Sequence, residues 1–97
     1  MKTLADLKRD IVPGVQIECT DFVWCARDGR PEERGVTPRM AGVRTVERKN
    51  TVGFVVNGSH FDWPKADELQ YDGDTIVVSP KDQHGEVYQV RTYKIIE

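Results

Sequence analysis

The segment TVGFVVNGSHFDW, residues 51–63, decides how this chain folds. At its centre Asn57-Gly58 is the dipeptide best suited to the positive φ angles of a type I′ hairpin turn. A two-residue turn there sets the register, with Val56 opposite Ser59, Phe54 opposite Phe61 and Val52 opposite Trp63. By the two-residue period of a strand those side chains share one face, and Phe54 and Phe61 form a cross-strand aromatic pair. His60 and Asp62 fall on the other, solvated face. Ser59 is thereby parted from His60 and Asp62, so the three do not make a nucleophile–base–acid set. The Asn57-Gly58-Ser59 sequon acquires a glycan only on a secretory route, and turn geometry already accounts for Asn57.

Strand signals continue on both sides of this hairpin. Upstream, Val15, Ile17 and Cys19 alternate with Gln16, Glu18 and Thr20, which marks a half-buried strand. Phe22 to Cys25 extends it after a kink near Asp21. Residues 26–39, ARDGRPEERGVTPR, form a long charged loop, of the length that is often functional or mobile. Met40 to Arg48 reads as the next strand, with Lys49-Asn50 as a tight turn before a strand from Thr51 to Val56. Downstream, Pro64 to Leu69 suits a single helical turn, because Pro is accepted at a first helical position. Asp72-Gly73 is a second hairpin dipeptide before Thr75 to Ser79, Pro80 ends that strand, and Val87 to Ile96 is a long final one. At the N-terminus Thr3 can cap a helix with Asp6 answering it, and Leu4, Leu7 and Ile11 recur at helical spacing. Pro13-Gly14 stops that helix.

The expected fold is mainly β (α+β) in one domain over 1–97, with helix and turn in 1–14 and a β body in 15–97. Five or six antiparallel strands in so short a chain must protect their edges, which favours a small SH3-like barrel. An OB-like barrel, or an open antiparallel sheet with one helix, is the alternative.

Composition excludes several classes. The chain of 97 residues is 38% hydrophobic and 31% charged, which suits a globular domain with a single core. No apolar run approaches the roughly 20 residues that cross a bilayer, and MKTLADLKRD lacks the apolar stretch of a signal peptide, so a cytoplasmic location is expected. Cys19 and Cys25 lie six apart in one extended segment, a separation of roughly 20 Å that a disulfide cannot span without a bend. Reduced thiols are expected. Cys19, Cys25, His60 and His84 lack the paired spacing of a zinc site, so no metal is expected, and no cofactor motif is present. No phosphate loop or placed carboxylate pair marks an enzyme.

The opening LADLKRDIVPG (Leu4 to Gly14), followed by strands and by Trp63-Pro64-Lys65, resembles small β-rich proteins of phages and mobile elements. Those begin with a short Leu/Lys/Arg helix, break at Pro-Gly and continue into a β body carrying a Trp-Pro-Lys segment. The resemblance covers about a third of the chain and implies a β-rich accessory protein of unassigned role. It carries over no catalytic residues.

Charge patterning supplies the candidate surfaces. The net charge is −2, against broad nonspecific binding to nucleic acid. Residues 27–49 hold seven basic groups against four acids, whereas 50–74 hold five acids against Lys65 alone. Arg27, Arg30, Arg34 and Arg39 of the loop, with Arg44 and Arg48 on the next strand, can grip carboxylate or phosphate groups, though Asp28, Glu32 and Glu33 dilute their field. Trp24, at the lip of the loop, is an interface anchor, while Trp63 belongs to the core. Asp67, Glu68, Asp72 and Asp74 present a negative surface to a basic partner. The expected function is a non-enzymatic macromolecule-binding module that meets a protein through Trp24, the loop and the acidic segment. A nucleic-acid-binding barrel using the loop arginines is the alternative.

Overall fold

Thr3 caps the first helix as its position demands. In the computed structural model, which describes residues 1–96, helix α1 spans Leu4–Asp10. The Asp6 amide donates to Thr3 Oγ1 at 3.2 Å, and the Thr3 amide donates to the Asp6 carboxylate at 2.7 Å. Asp thus fills the acidic place of a capping box. The helix ends where Ile11 turns extended, two residues before Pro13. Its two turns are not stable alone, and neighbouring strands hold them. Leu7 and Ile11 are buried, Asp10 accepts a 2.7 Å hydrogen bond from the Tyr71 hydroxyl, and Lys49 donates its ammonium to the Lys8 carbonyl.

The strands are β1 (Gln16–Trp24), β2 (Glu33–Arg34), β3 (Val43–Lys49), β4 (Gly53–Val56), β5 (Ser59–Asp62), β6 (Leu69–Asp72), β7 (Thr75–Val78) and β8 (Gln89–Ile96). All pairings are antiparallel, in the order β5-β4-β3-β1-β8-β7-β6. Strand β1 is the spine. It pairs along its length with β8, while its other edge takes β3 at residues 16–18 and β2 at Val23 and Trp24. A bulge at Thr20 shifts the β1–β8 register between Cys19 and Asp21, near the expected kink.

The Asn57-Gly58 hairpin holds its expected register, with Asn57 at φ 50° and Gly58 at φ 78°. Phe54 and Phe61 stack with ring centroids 5.6 Å apart, and Trp63 packs on Phe54 at 5.2 Å. Trp63 is half-buried, and its indole donates to the Asn50 carbonyl at 3.0 Å. Val52 leaves the shared face and is 59% exposed, because the strand begins only at Gly53. Before it, the Asn50 side chain accepts from the Val52 and Gly53 amides and turns the chain. Between β5 and β6, the expected helical turn is a 3₁₀ turn at Ala66–Glu68.

Two expectations change. The sheet has eight strands and does not close. Its outer strands, β5 and β6, do not pair, so the SH3-like and OB-like barrels give way to an open antiparallel sheet with one helix. Leu7 and Ile11 of helix α1 pack into the same core cluster as Ile17, Val46 and Ile76, so the helix shares the core with the sheet. The β6 edge is partly covered instead by Lys2, whose amide donates to the Tyr71 carbonyl. The 26–39 segment is also not wholly a loop. Glu33 and Arg34 return along β1 as β2, and the Gly35 amide donates to the Phe22 carbonyl. No helix among the described residues is long and apolar enough to cross a membrane.

Candidate functional site

The concave face of the sheet carries more than the core. Register places Ile17 opposite Arg44 and Ile95, Cys19 opposite Tyr93, and Phe22 opposite Arg91. Ile76 and Val78 of β7 continue those rows against Tyr93 and Arg91. At the helix end the face is apolar, with Leu7, Ile11, Ile17 and Ile76 in the main cluster. Further along, two arginines occupy positions where alternation asks for apolar side chains. Arg44 donates to the carbonyls of Arg39 and Ala41 and so pins the turn at 38–40 over the face. Arg91 lies 6.0 Å over the Tyr93 ring.

Under that turn is a cleft of about 510 Å³. Arg39 and Arg44 line it together with Ile17, Val56 and Phe61, and the β5 backbone at His60 borders it. Cys19 and Tyr93 also line it. Burial raises the Cys19 thiol above its ordinary pKa, and the thiol donates to the Asp21 carbonyl at 3.4 Å. Burial likewise raises the Tyr93 hydroxyl. Both therefore stay protonated at neutral pH, and a buried thiol is a poor nucleophile. His60 Nδ1 sits 3.2 Å from Asp62 Oδ1 at the exposed edge strand, with Ser59 on the opposite face, as its alternation requires.

A second surface forms at the end of β1. Trp24 is 48% exposed and packs against Phe22 at 5.6 Å and Tyr88 at 6.5 Å. The Arg27 guanidinium lies 5.8 Å over Tyr88 and is held by Asp82 at 2.6 Å. Asp82 in turn accepts from the His84 and Glu86 amides at 2.8 and 3.1 Å, and these hold its carboxyl below the usual range. The whole end is thus ordered by hydrogen bonds rather than left to a mobile loop.

The other charged candidates divide among different places. Arg30 sits in the Arg27–Arg30 turn, Arg34 on β2 lies 3.6 Å from Asp21, and Arg39 belongs to the cleft. Asp67 pairs with Lys81 at 3.2 Å, and Glu68 accepts from the Lys81 amide at 2.9 Å. Asp72 is the last residue of β6 and Asp74 lies in the turn that follows, at the opposite end of that strand. The acidic segment is therefore split, with Asp67 and Glu68 gathered on Lys81, while Arg27 joins the Trp24–Tyr88 cluster and bridges to Arg30 through the backbone. Sequence reasoning named Arg44 as a grip for phosphate or carboxylate beside the loop arginines, but it did not place Arg44 and Tyr93 on one cleft and did not single out Arg91. The available signal was phase: in VRTVERK and QVRTYKII the arginines share a two-residue period with core residues Val46 and Ile95. Among the described residues no three His, Cys, Asp or Glu side chains gather as a metal site. Comparison with protein-family models, curated proteins and solved structures gives no match to this chain.

Proposed function

We propose that this domain is a non-enzymatic binding module, an accessory protein of a phage or mobile element. It acts in the cytoplasm by engaging a protein partner through the Trp24 end of the sheet. The observation that carries this is the half-exposed Trp24 seated between Phe22 and Tyr88, with Arg27 fixed beside it. Trp, Tyr and Arg dominate the energy of protein interfaces, and ordering them before binding lowers the entropy cost of association. The strand that carries Trp24 is paired on both edges, so the anchor is presented rigidly.

A nucleic-acid reading is less well supported, because Arg27 and Arg34 already face Asp82 and Asp21. Quantitative capture from lysate of cells that encode the protein tests both. A protein retained by the wild type and by Lys65→Ala, and lost with Trp24→Ala and with Arg27→Ala, is the expected result. Retention unaffected by Trp24→Ala refutes the proposal. Steeply salt-dependent binding of DNA or RNA, abolished by Arg30→Ala with Arg34→Ala, would establish the alternative in its place.

A further inference from the structure

The concave cleft is separate from the Trp24 end and has its own chemistry. We propose that it binds a small organic anion, a single carboxylate or phosphate head on a compact apolar body. Its volume of about 510 Å³ falls in the range of small-molecule sites, about 300–1,000 Å³. None of its lining residues is acidic, although the chain as a whole carries a net charge of −2. Arg39 and Arg44 line it, and Asn57 and Ser59 add polar groups from the hairpin.

Two buried polar atoms on the cleft wall point the same way. Arg44 Nε has no hydrogen-bond partner among the described protein atoms, and the Tyr93 hydroxyl meets no partner at good geometry, with only the Arg91 guanidinium near it. A buried donor left in that condition costs free energy, so a native fold that keeps one calls for an explanation. An anionic oxygen lodged against this wall after a small side-chain adjustment gives both a partner and places negative charge beside two guanidinium groups. Arg91, 6.0 Å from the Tyr93 ring, adds a third positive charge from the neighbouring cavity, which it lines with Asp62.

The apolar half of the ligand follows from the neighbouring cavity. A space of about 50 Å³, lined by Leu7, Ile11 and Ile76 among others, shares Ile17, Phe61 and Tyr93 with the cleft. The head therefore sits under the turn at 38–40, and the body points along Ile17 and Phe61 toward α1.

Titration by ¹H–¹⁵N NMR tests this with benzoate, phenyl phosphate, inorganic phosphate, benzyl alcohol and benzylamine as probes. The expected result is saturable shifts at Ile17, Arg44, Phe61 and Tyr93 with benzoate or phenyl phosphate, and the tighter of the two identifies the head. Inorganic phosphate binding as well as phenyl phosphate overturns the apolar half of the proposal. Benzyl alcohol or benzylamine binding as well as benzoate overturns the anionic half. No saturable shift with either aryl anion overturns the whole. Arg44 also pins the turn, so Arg39→Gln is the decisive variant, weakening binding about tenfold if one charge-assisted contact is lost. Unchanged affinity in Arg39→Gln counts against the proposal. Trp24→Ala leaves anion binding intact, which separates this site from the partner surface.

Discussion

Replacing Gly53 with alanine should open the β4–β5 hairpin, although the change adds only one carbon. A Cβ at residue 53 points at the Phe61 carbonyl oxygen and comes within 2.8 Å of the Phe61 carbonyl carbon and 2.9 Å of the Asp62 Cα. Carbon atoms pack at about 3.5–4.0 Å, so the overlap approaches 1 Å. The atoms in the way belong to the backbone of β5 and cannot rotate aside. Relief requires the two strands to part, which breaks the Phe54–Phe61 stack and the seat of Trp63. We expect a loss of about 3 kcal/mol, at the upper end of overpacking costs. That is a large share of the roughly 5–15 kcal/mol that holds a domain folded, and lowers the melting temperature by about 12–24 °C. Gly58→Ala is the control. Its Cβ meets nothing within 4 Å, and its cost comes only from φ +78°, about 1–2 kcal/mol. Urea and thermal unfolding, followed by circular dichroism and tryptophan fluorescence, measure both variants. If Gly53→Ala is no less stable than Gly58→Ala, the close approach of β4 and β5 is wrong.

Tyr71→Phe removes the hydrogen bond to Asp10 and should cost about 1.5 kcal/mol, the low end for a charged acceptor because Asp10 is partly exposed. Burial, followed by the Asp10 bond, raises the Tyr71 pKa well above its ordinary value, so the folded state keeps a proton that the unfolded chain releases above about pH 10. Stability should fall as pH rises past that point, and a urea midpoint with the same alkaline fall in Tyr71→Phe would exclude this origin. At the acid end the Thr3 amide lowers the pKa of Asp6, Lys81 that of Asp67, and the Glu86 amide that of Asp82. Their contribution is present above about pH 3.9 and is lost as pH falls through the lowered values. The urea midpoint should drop below about pH 4, and less so when all three are Asn; equal drops would refute the assignment. For the thiols, a disulfide reagent should modify half-buried Cys25 in the native state and reach Cys19 only on unfolding, because Cys19 is buried and held as the thiol. Two equally fast phases would contradict that placement.

Local chemistry was readable because it acts over a few residues. Thr3 with Asp6 specified a helix start, Pro13 its end, and Asn57-Gly58 a turn whose two-residue loop fixed the facing of Phe54 and Phe61. The kink near Asp21 and the helical turn after Pro64 belong to the same class. Trp24 was legible as an exposed aromatic beside a charged segment, and the structure adds Tyr88 and Asp82 from far along the chain.

What the tertiary structure decided depends on strand partners distant in sequence. Nothing local says that β1 takes β8 on one edge and both β3 and β2 on the other, or that a helix shares the core with an open sheet. The same pairings turn Arg44 and Arg91 inward and bring Arg39 and Arg44 to one cleft. Alternation shows which side chains share a face, but only the neighbouring strands determine whether that face meets water or core. A single inserted residue, as at Thr20, moves the side chains that follow to the other face, so the site could emerge only once the sheet was assembled.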